Sequence, residues 1–482
     1  MNRTAQLNPK KFYLSLFIFS VLAIVFTYPI SENAFFWDTV QLGSLHAHFY
    51  LDNNFSQFFL PESMDSGHPP VFGIYLAFIW KLFGKTLAIS HYAMIPFLIG
   101  IIIYLHLFGR LFFQSFGFLL GFVLLFLIDP CVAGQMALVS PDVPLILFFL
   151  MSIYGIFTQK KTHLLLGIIG LCMISTRGMM TAAAFFVFDL CNYFWLEKNR
   201  FQLLPLFKKG WAYIPGGILG ITFLIAHYYQ TGWIGYHENS PWVDSFDKVN
   251  LSGFFKNILI LGWRLVDLGR IILWIIILVI GNQIIQKKLP FDLKTKQLIL
   301  LFLCMCIFLV PAMLTHKMLL GHRYLLPIFL VINILAVCLV SLIDSKKLVK
   351  RWFIIAGILG FIIGNFIIYP KKIAQSWDST LANLPYFDLR KEMIAYIEQS
   401  KIPYQSVGSV FPNIQTFELI DLNGNQNKFV EKDFEKNDYI FYSNIFNDFT
   451  DQEIDILESE WTVVKQLNQN GICVILYKKA SF

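Results

Sequence analysis

The sequence predicts an all-α polytopic membrane protein that carries a small soluble α/β domain near its C-terminal end. Of its 482 residues 56% are hydrophobic and only 14% charged, with a mean hydropathy of +0.60, whereas soluble domains carry about 25% charged residues. Fifty Phe and 20 Tyr exceed what a soluble core of this size would bury. Apolar runs near the length of a bilayer crossing recur along the chain, and basic residues fall in alternate connections. These features exclude a disordered chain, a disulfide-held scaffold and a nucleic-acid-binding module. The net charge of +7 belongs to loops rather than to a basic face.

Eleven crossings are expected, at 12–31, 87–108, 114–130, 144–158, 163–176, 178–195, 211–229, 268–283, 297–315, 323–342 and 352–369. Arg3, Lys10 and Lys11 precede the first, and Lys160/Lys161, Lys208/Lys209, Lys287/Lys288 and Lys346/Lys347/Lys350/Arg351 fall on the same side. Positive loops stay in the cytoplasm, so the N-terminus is expected to be cytoplasmic and residues 371–482 extracytoplasmic. Residues 69–83 are apolar but short, reaching about 22 Å as a helix. Counting them as a crossing would invert every later basic loop, so they read as a juxtamembrane helix on the outer side. The domains expected are therefore 1–370 in the membrane, with 31–69 as its first outer loop, and 371–482 outside it.

Polar residues return after Pro370. Asp388 is placed to cap a helix running to about Ser400, 404–411 and 439–443 read as strands, and 448–460 as a capped helix. The stretches 461–466 and 473–478 resemble a hairpin around Asn470-Gly471. The seven Cys lack any paired CxxC spacing, and five of them lie in apolar runs, so they point to neither zinc nor a disulfide framework.

Chemistry concentrates in outer loops. Residues 31–69 hold Glu32, Asp38, Asp52, Glu62 and Asp65, with His46, His48 and His68, many aromatics and no Lys or Arg. An acidic loop anchored by aromatics would suffice to explain this, but loops of such length usually carry function. Asp142, beside Pro141 and Pro144, reads most simply as a helix cap. By parity it faces the same compartment as Asp38. Asp129 reads as a cap, and Arg264, Asp267 and Arg270 as an ion-pair stripe on one helix face. A loop with His227, Trp233, His237, Glu238, Trp242 and Asp244 suits either interface anchoring or a sugar pocket. His316 and Lys317 lie just before Arg323.

Taken in order, Trp37-Asp38, His68-Pro69-Pro70, Lys81-Leu82-Phe83-Gly84, Pro141-Asp142, Arg177-Gly178 and His322-Arg323-Tyr324-Leu325-Leu326-Pro327 form a pattern. Over residues 10–370 it resembles the GT-C membrane glycosyltransferases, in the branch holding the dolichyl-phosphate-mannose protein mannosyltransferases and the lipid A aminoarabinose transferase; residues 371–482 contribute little to the likeness. The resemblance implies transfer of a sugar from a polyprenyl-phosphate donor to a protein, lipid or envelope glycan, at the outer face of a bacterial inner (plasma) membrane. It implies Asp38 and Asp142 as the catalytic acids, Asp38 being the base on the acceptor. It also implies His68, Arg177, Arg323 and Lys317 around the donor phosphate, and a divalent metal cation on Asp38, Asp142 and His68. Many members of the family carry two adjacent acids in the first loop. Here Thr39 follows Asp38, leaving Glu62, Asp65 or Asp52 to supply the second. A transporter or flippase, or an inactive scaffold, is the rival reading. Transporters usually show internal repeats and broken helices at the bilayer midplane, and no repeat is visible.

Overall fold

Large apolar side chains cover the outside of the helices as well as the inside. Tyr13, Leu14, Phe17 and Val25 point outward from the first helix, and Ile275, Leu278 and Ile307 from later ones, as expected where the surrounding solvent is lipid. The computed structural model describes residues 8–113, 115–235, 237, 243–286, 291–317, 319–343 and 347–480; Glu238, Trp242, Lys287, Lys288 and Lys346 lie outside them. Among the described residues six helices are long and apolar enough to cross a membrane: Pro9–Ile30, Leu87–Phe112, Thr176–Leu196, Phe207–Thr231, Leu293–Thr315 and His322–Leu342. Two bent pairs raise the number to as many as eight. The chain is an integral membrane protein.

The helical content is the one expected, but its division differs from eleven straight crossings. The crossings expected at 144–158 and 163–176 are the shorter apolar helices Asp142–Thr158 and Lys161–Ile174, and residues 69–83 contain a third, Val71–Phe83. The run 114–130 breaks at Asp129: Phe116–Leu127 and Pro130–Met136 meet at 66°. The run 268–283 is the second half of an unexpected pair, Leu251–Val266 and Ile271–Gln286, bent by 84°. At that bend Leu268 and Gly269 adopt positive φ, and a Cβ on Gly269 would lie 2.0 Å from the Gly360 carbonyl oxygen, so only glycine fits. The bend also corrects the ion-pair stripe. Arg264 and Asp267 stay together at 3.6 Å, but Arg270 turns away to Asp129 at 2.5 Å.

The central helix is Leu326–Leu342, whose residues are buried from Leu326 through Val340. Its buried Asn333 donates to Asp129, whose other oxygen caps helix Pro130–Met136 at the Cys131 N–H and binds Arg270. Asp189 finds its partners on another segment, Lys209 at 3.1 Å and the Tyr213 hydroxyl at 3.3 Å. In the first outer loop buried Asp65 takes its Oδ2 to His227 Nε2 at 2.8 Å and accepts from the Gly67 N–H. That pairing pins the loop to helix Ile214–Thr231.

The C-terminal domain has a five-stranded mixed sheet made of β1 (Val407–Ser409), β2 (Val430–Glu431), β3 (Tyr439–Ser443), β4 (Trp461–Gln469) and β5 (Ile472–Lys479), in the order β2-β1-β3-β5-β4. β1 pairs parallel with β2 and β3, while β5 runs antiparallel to β3 and β4. Asn470 and Gly471, both at positive φ, close the β4–β5 hairpin. Thr450 and Glu453 form a capping box on helix Asp451–Glu460. Helix Pro385–Gln399 begins before Asp388, with Pro at its first position rather than an acidic cap. Helix Phe417–Asp421 and β2 escaped the sequence reading because each is too short to show a periodicity. The domain sits on the first outer loop: the Phe35 N–H donates to the Ile420 carbonyl at 2.9 Å, and Trp37 stacks on Phe446.

Candidate active site

Asp38 is presented by a forced turn. Trp37 holds φ 51°, a conformation that costs a bulky residue about 1–3 kcal/mol and tends to persist at functional sites. Packing of Trp37 against Phe446 and of Phe36 against Tyr386 and Phe387 holds it there. Thr39, where the family pattern has a second acid, is buried, and its hydroxyl bonds the Phe36 backbone. It lends no charge to the site.

Arg323 leads the central helix, in the turn His322–Leu325. Its Nη2 pairs with Asp38 Oδ2, and its Nε lies 3.2 Å from Asp378 Oδ2. The turn is fixed from behind: buried His322 holds its Nε2 3.0 Å from Asp267 Oδ2, and Tyr369 donates to the same carboxylate. The bent helix pair thus serves to bring Asp267 under Arg323.

Arg177 and Asp142 form the second half of the site. Ser175 caps helix Thr176–Cys191 by accepting from the Gly178 N–H at 3.1 Å. A Cβ on Gly178 would meet the Leu171 carbonyl oxygen at 2.0 Å, which explains the glycine after Arg177. Asp142 is the first residue of its helix rather than its cap, and the Ser140 hydroxyl accepts from its N–H at 3.1 Å. Arg177 Nη2 pairs with Asp142 Oδ1, while Arg177 Nη1 donates to the carbonyl oxygen of Arg323 and so joins the two pairs. Both guanidiniums flank the Tyr324 ring, at 5.6 Å for Arg177 and 5.1 Å for Arg323. Asp142 Oδ2 and Arg177 Nε are buried and have no protein hydrogen-bond partner among the described residues. Buried polar atoms are rarely left so.

His68 Nδ1 lies 3.0 Å from the hydroxyl of Thr176, the residue before Arg177. Burial above all, then Arg177 and His46, pull the His68 pKa down to about 4. It is therefore neutral near pH 7 and offers a hydrogen bond rather than a charge. Five of the six residues singled out from the sequence, Asp38, His68, Asp142, Arg177 and Arg323, are thus linked by direct or adjacent contacts. Lys317 is not. Its side chain is exposed and lies 3.8 Å from Asp247, and His316 bonds the Ala312 carbonyl instead.

The second carboxylate at Arg323 comes from none of the acids expected to supply it. Asp65 is committed to His227, His237 lies 3.4 Å from Glu62, and Asp52 is exposed. It comes from Asp378, in a turn that Gln135 holds by donating to the Asp378 carbonyl at 2.8 Å. One signal pointed to it: Trp377-Asp378 repeats the Trp37-Asp38 pair. The residues expected to hold a metal have protein partners in this structure. Both Asp38 and Asp142 are taken up by guanidiniums, His68 by Thr176, and the described residues contain no group of three or more His, Cys, Asp or Glu placed to hold a metal ion.

No protein-family model matches the sequence, and no curated protein does. Among solved structures the chain is similar to the crystal structure of ArnT from Cupriavidus metallidurans bound to undecaprenyl phosphate, with a TM-score of 0.53 at 10% sequence identity, over 95% of this chain and 97% of that one. At that identity the likeness speaks for architecture, and the architecture is the GT-C fold that the order of motifs implied.

Proposed function

We propose that this protein transfers a sugar from a polyprenyl-phosphate donor to a hydroxyl-bearing acceptor at the extracytoplasmic face of a bacterial inner membrane, with Asp38 as the base. The observation that carries the reading is the joined pair of acid–arginine contacts, Asp38–Arg323 and Asp142–Arg177, three of whose four residues stand at the start of apolar helices. Undecaprenyl phosphate in the ArnT structure supports the donor class.

A guanidinium binds a phosphate with the same fork geometry it uses for a carboxylate. The donor phosphate would compete for Arg323, whose Nε stays with Asp378, and the competition would release Asp38. The freed carboxylate accepts the acceptor's hydroxyl proton as the oxygen attacks the anomeric carbon. The carbon–oxygen bond to phosphate breaks, and polyprenyl phosphate leaves with the bonding electrons, its charge met by Arg323 and Arg177. Asp142 sets the position of Arg177, and neutral His68 offers a hydrogen bond beside it. No step is assigned to a metal.

The test is purified protein in lipid nanodiscs with radiolabelled polyprenyl-phosphate sugar. Donor-dependent labelling of a lipid, glycan or protein is expected, and the Asp38→Asn protein should lose about 10²–10⁴-fold. Full transfer by Asp38→Asn would remove Asp38 from its role. Passage of intact donor across the bilayer without bond cleavage would favour the transporter.

A further inference from the structure

A cavity of mixed polar and apolar lining lies away from the arginine pairs, between the first outer loop and the C-terminal domain. It measures about 570 Å³, within the range of small-molecule sites. At its base the buried Glu418 carboxylate meets Lys85 and His48, at 3.2 Å from His48 Nε2, and accepts from the Gly424 N–H. Phe49 and Leu45 give it an apolar wall. Asp52, Thr416 and Gln426 line it with side chains that make no hydrogen bond to another described group. Two carboxylates against one lysine disfavour an anion. Neutral donors and acceptors on both walls, beside an aromatic ring, suit an uncharged polyol.

The cavity is tied to the site. Helix Phe417–Asp421 supplies Glu418 and Leu419 to it, and the Ile420 carbonyl between them and Asp421 accepts from Phe35, three residues before Asp38. Leu45 follows Asp38 within the same helical stretch, Val40–Leu45 continuing into His46–Asp52. An occupant of the cavity therefore touches both elements that place the proposed base. We propose that this cavity binds a neutral sugar residue of the acceptor, so that the acceptor is a glycan or glycolipid held between the loop and the C-terminal domain. The assignment of the bound sugar to the acceptor rests on the transferase reading.

Saturation-transfer NMR of the full-length protein in detergent, with methyl glucoside, galactoside and mannoside as probes, reads binding without turnover. At least one glycoside should receive saturation. The Asp52→Asn/Gln426→Ala double variant, altered only at exposed positions, should weaken it about tenfold, as expected for one or two lost hydrogen bonds. Arg323→Ala should leave it unchanged. No saturation of any probe, or equal saturation in the double variant, overturns the cavity assignment. Donor-dependent transfer without glycoside binding overturns the cavity alone. Glycoside binding without transfer overturns the transferase reading, and the acceptor role with it.

Discussion

Two kinds of carboxylate–guanidinium pair occur in this protein. Asp129–Arg270 has no exposure on either side chain, and the guanidinium lies 3.6 Å over the Phe329 ring. Asp38–Arg323 retains 16% and 12%. The inner pair is shut off from solvent, packed by Asn333, by the backbone of helix Pro130–Met136 and by two phenylalanine rings. The outer pair can exchange partners. The same two groups therefore serve as a structural clasp at one depth and as an openable contact at another, and the distinction lies in access rather than in residue type. Removing one member of a closed pair strands a charge, while removing one member of an open pair lets water replace it.

That contrast predicts a graded set of outcomes. Arg270→Ala leaves Asp129 buried and unpaired, at a cost of about 3–5 kcal/mol. The variant should fail to give a monodisperse peak on size-exclusion chromatography in detergent. If it is as stable as the parent protein, the inner pair is not a clasp. Arg323→Ala should instead keep a native elution profile and lose about 10²–10³-fold in sugar transfer, with Arg323→Lys recovering only part because a lysine lacks the fork. Asp378→Asn should fall between these and the parent.

Acid should act on the outer region next. Burial pulls both His46 and His68 down to about 4 from an ordinary value of 6.5. Between those values the unfolded chain binds protons that the folded chain does not, so stability falls as pH drops from 6.5 toward 4. At pH 5 the loss is about 2 kcal/mol per histidine. Thermal unfolding in detergent at pH 7 and pH 5 should show it, and His68→Gln should reduce the difference. The smallest effect expected is that of a chelator: with Asp38 and Asp142 both held by arginines, EDTA should leave transfer within about twofold.

Most of the motifs that announced the site share one property: an acid, an arginine or a histidine stands against a proline or glycine at the edge of an apolar run. His68, Asp142 and Arg177 were legible for that reason, and Arg323 by the Pro327 that follows it into its apolar run, whereas Asp38 was marked by the tryptophan before it in a loop without Lys or Arg. Asp378 carried only the repeated Trp-Asp pair as a signal, since it lies past Pro370 in a polar stretch where an aspartate is ordinary. The eleven-crossing map located the helical stretches but missed helix Leu251–Val266, whose apolar run is interrupted by Lys256 and Arg264. It also drew as straight what bends at Leu268-Gly269, because that bend is set by the approach of Gly360, 91 residues further along the chain.

Asp378 follows the last of the apolar helices, Lys347–Gly364, in the chain. Arg323 and Asp38 are therefore both synthesised before the second carboxylate that holds Arg323. Trp37 likewise waits for Phe446, the ring that holds its unfavourable backbone in place. The surroundings of Asp38 and Arg323 are thus completed by segments translated after the apolar helices, which makes folding of the sheet domain a condition for assembling this part of the molecule.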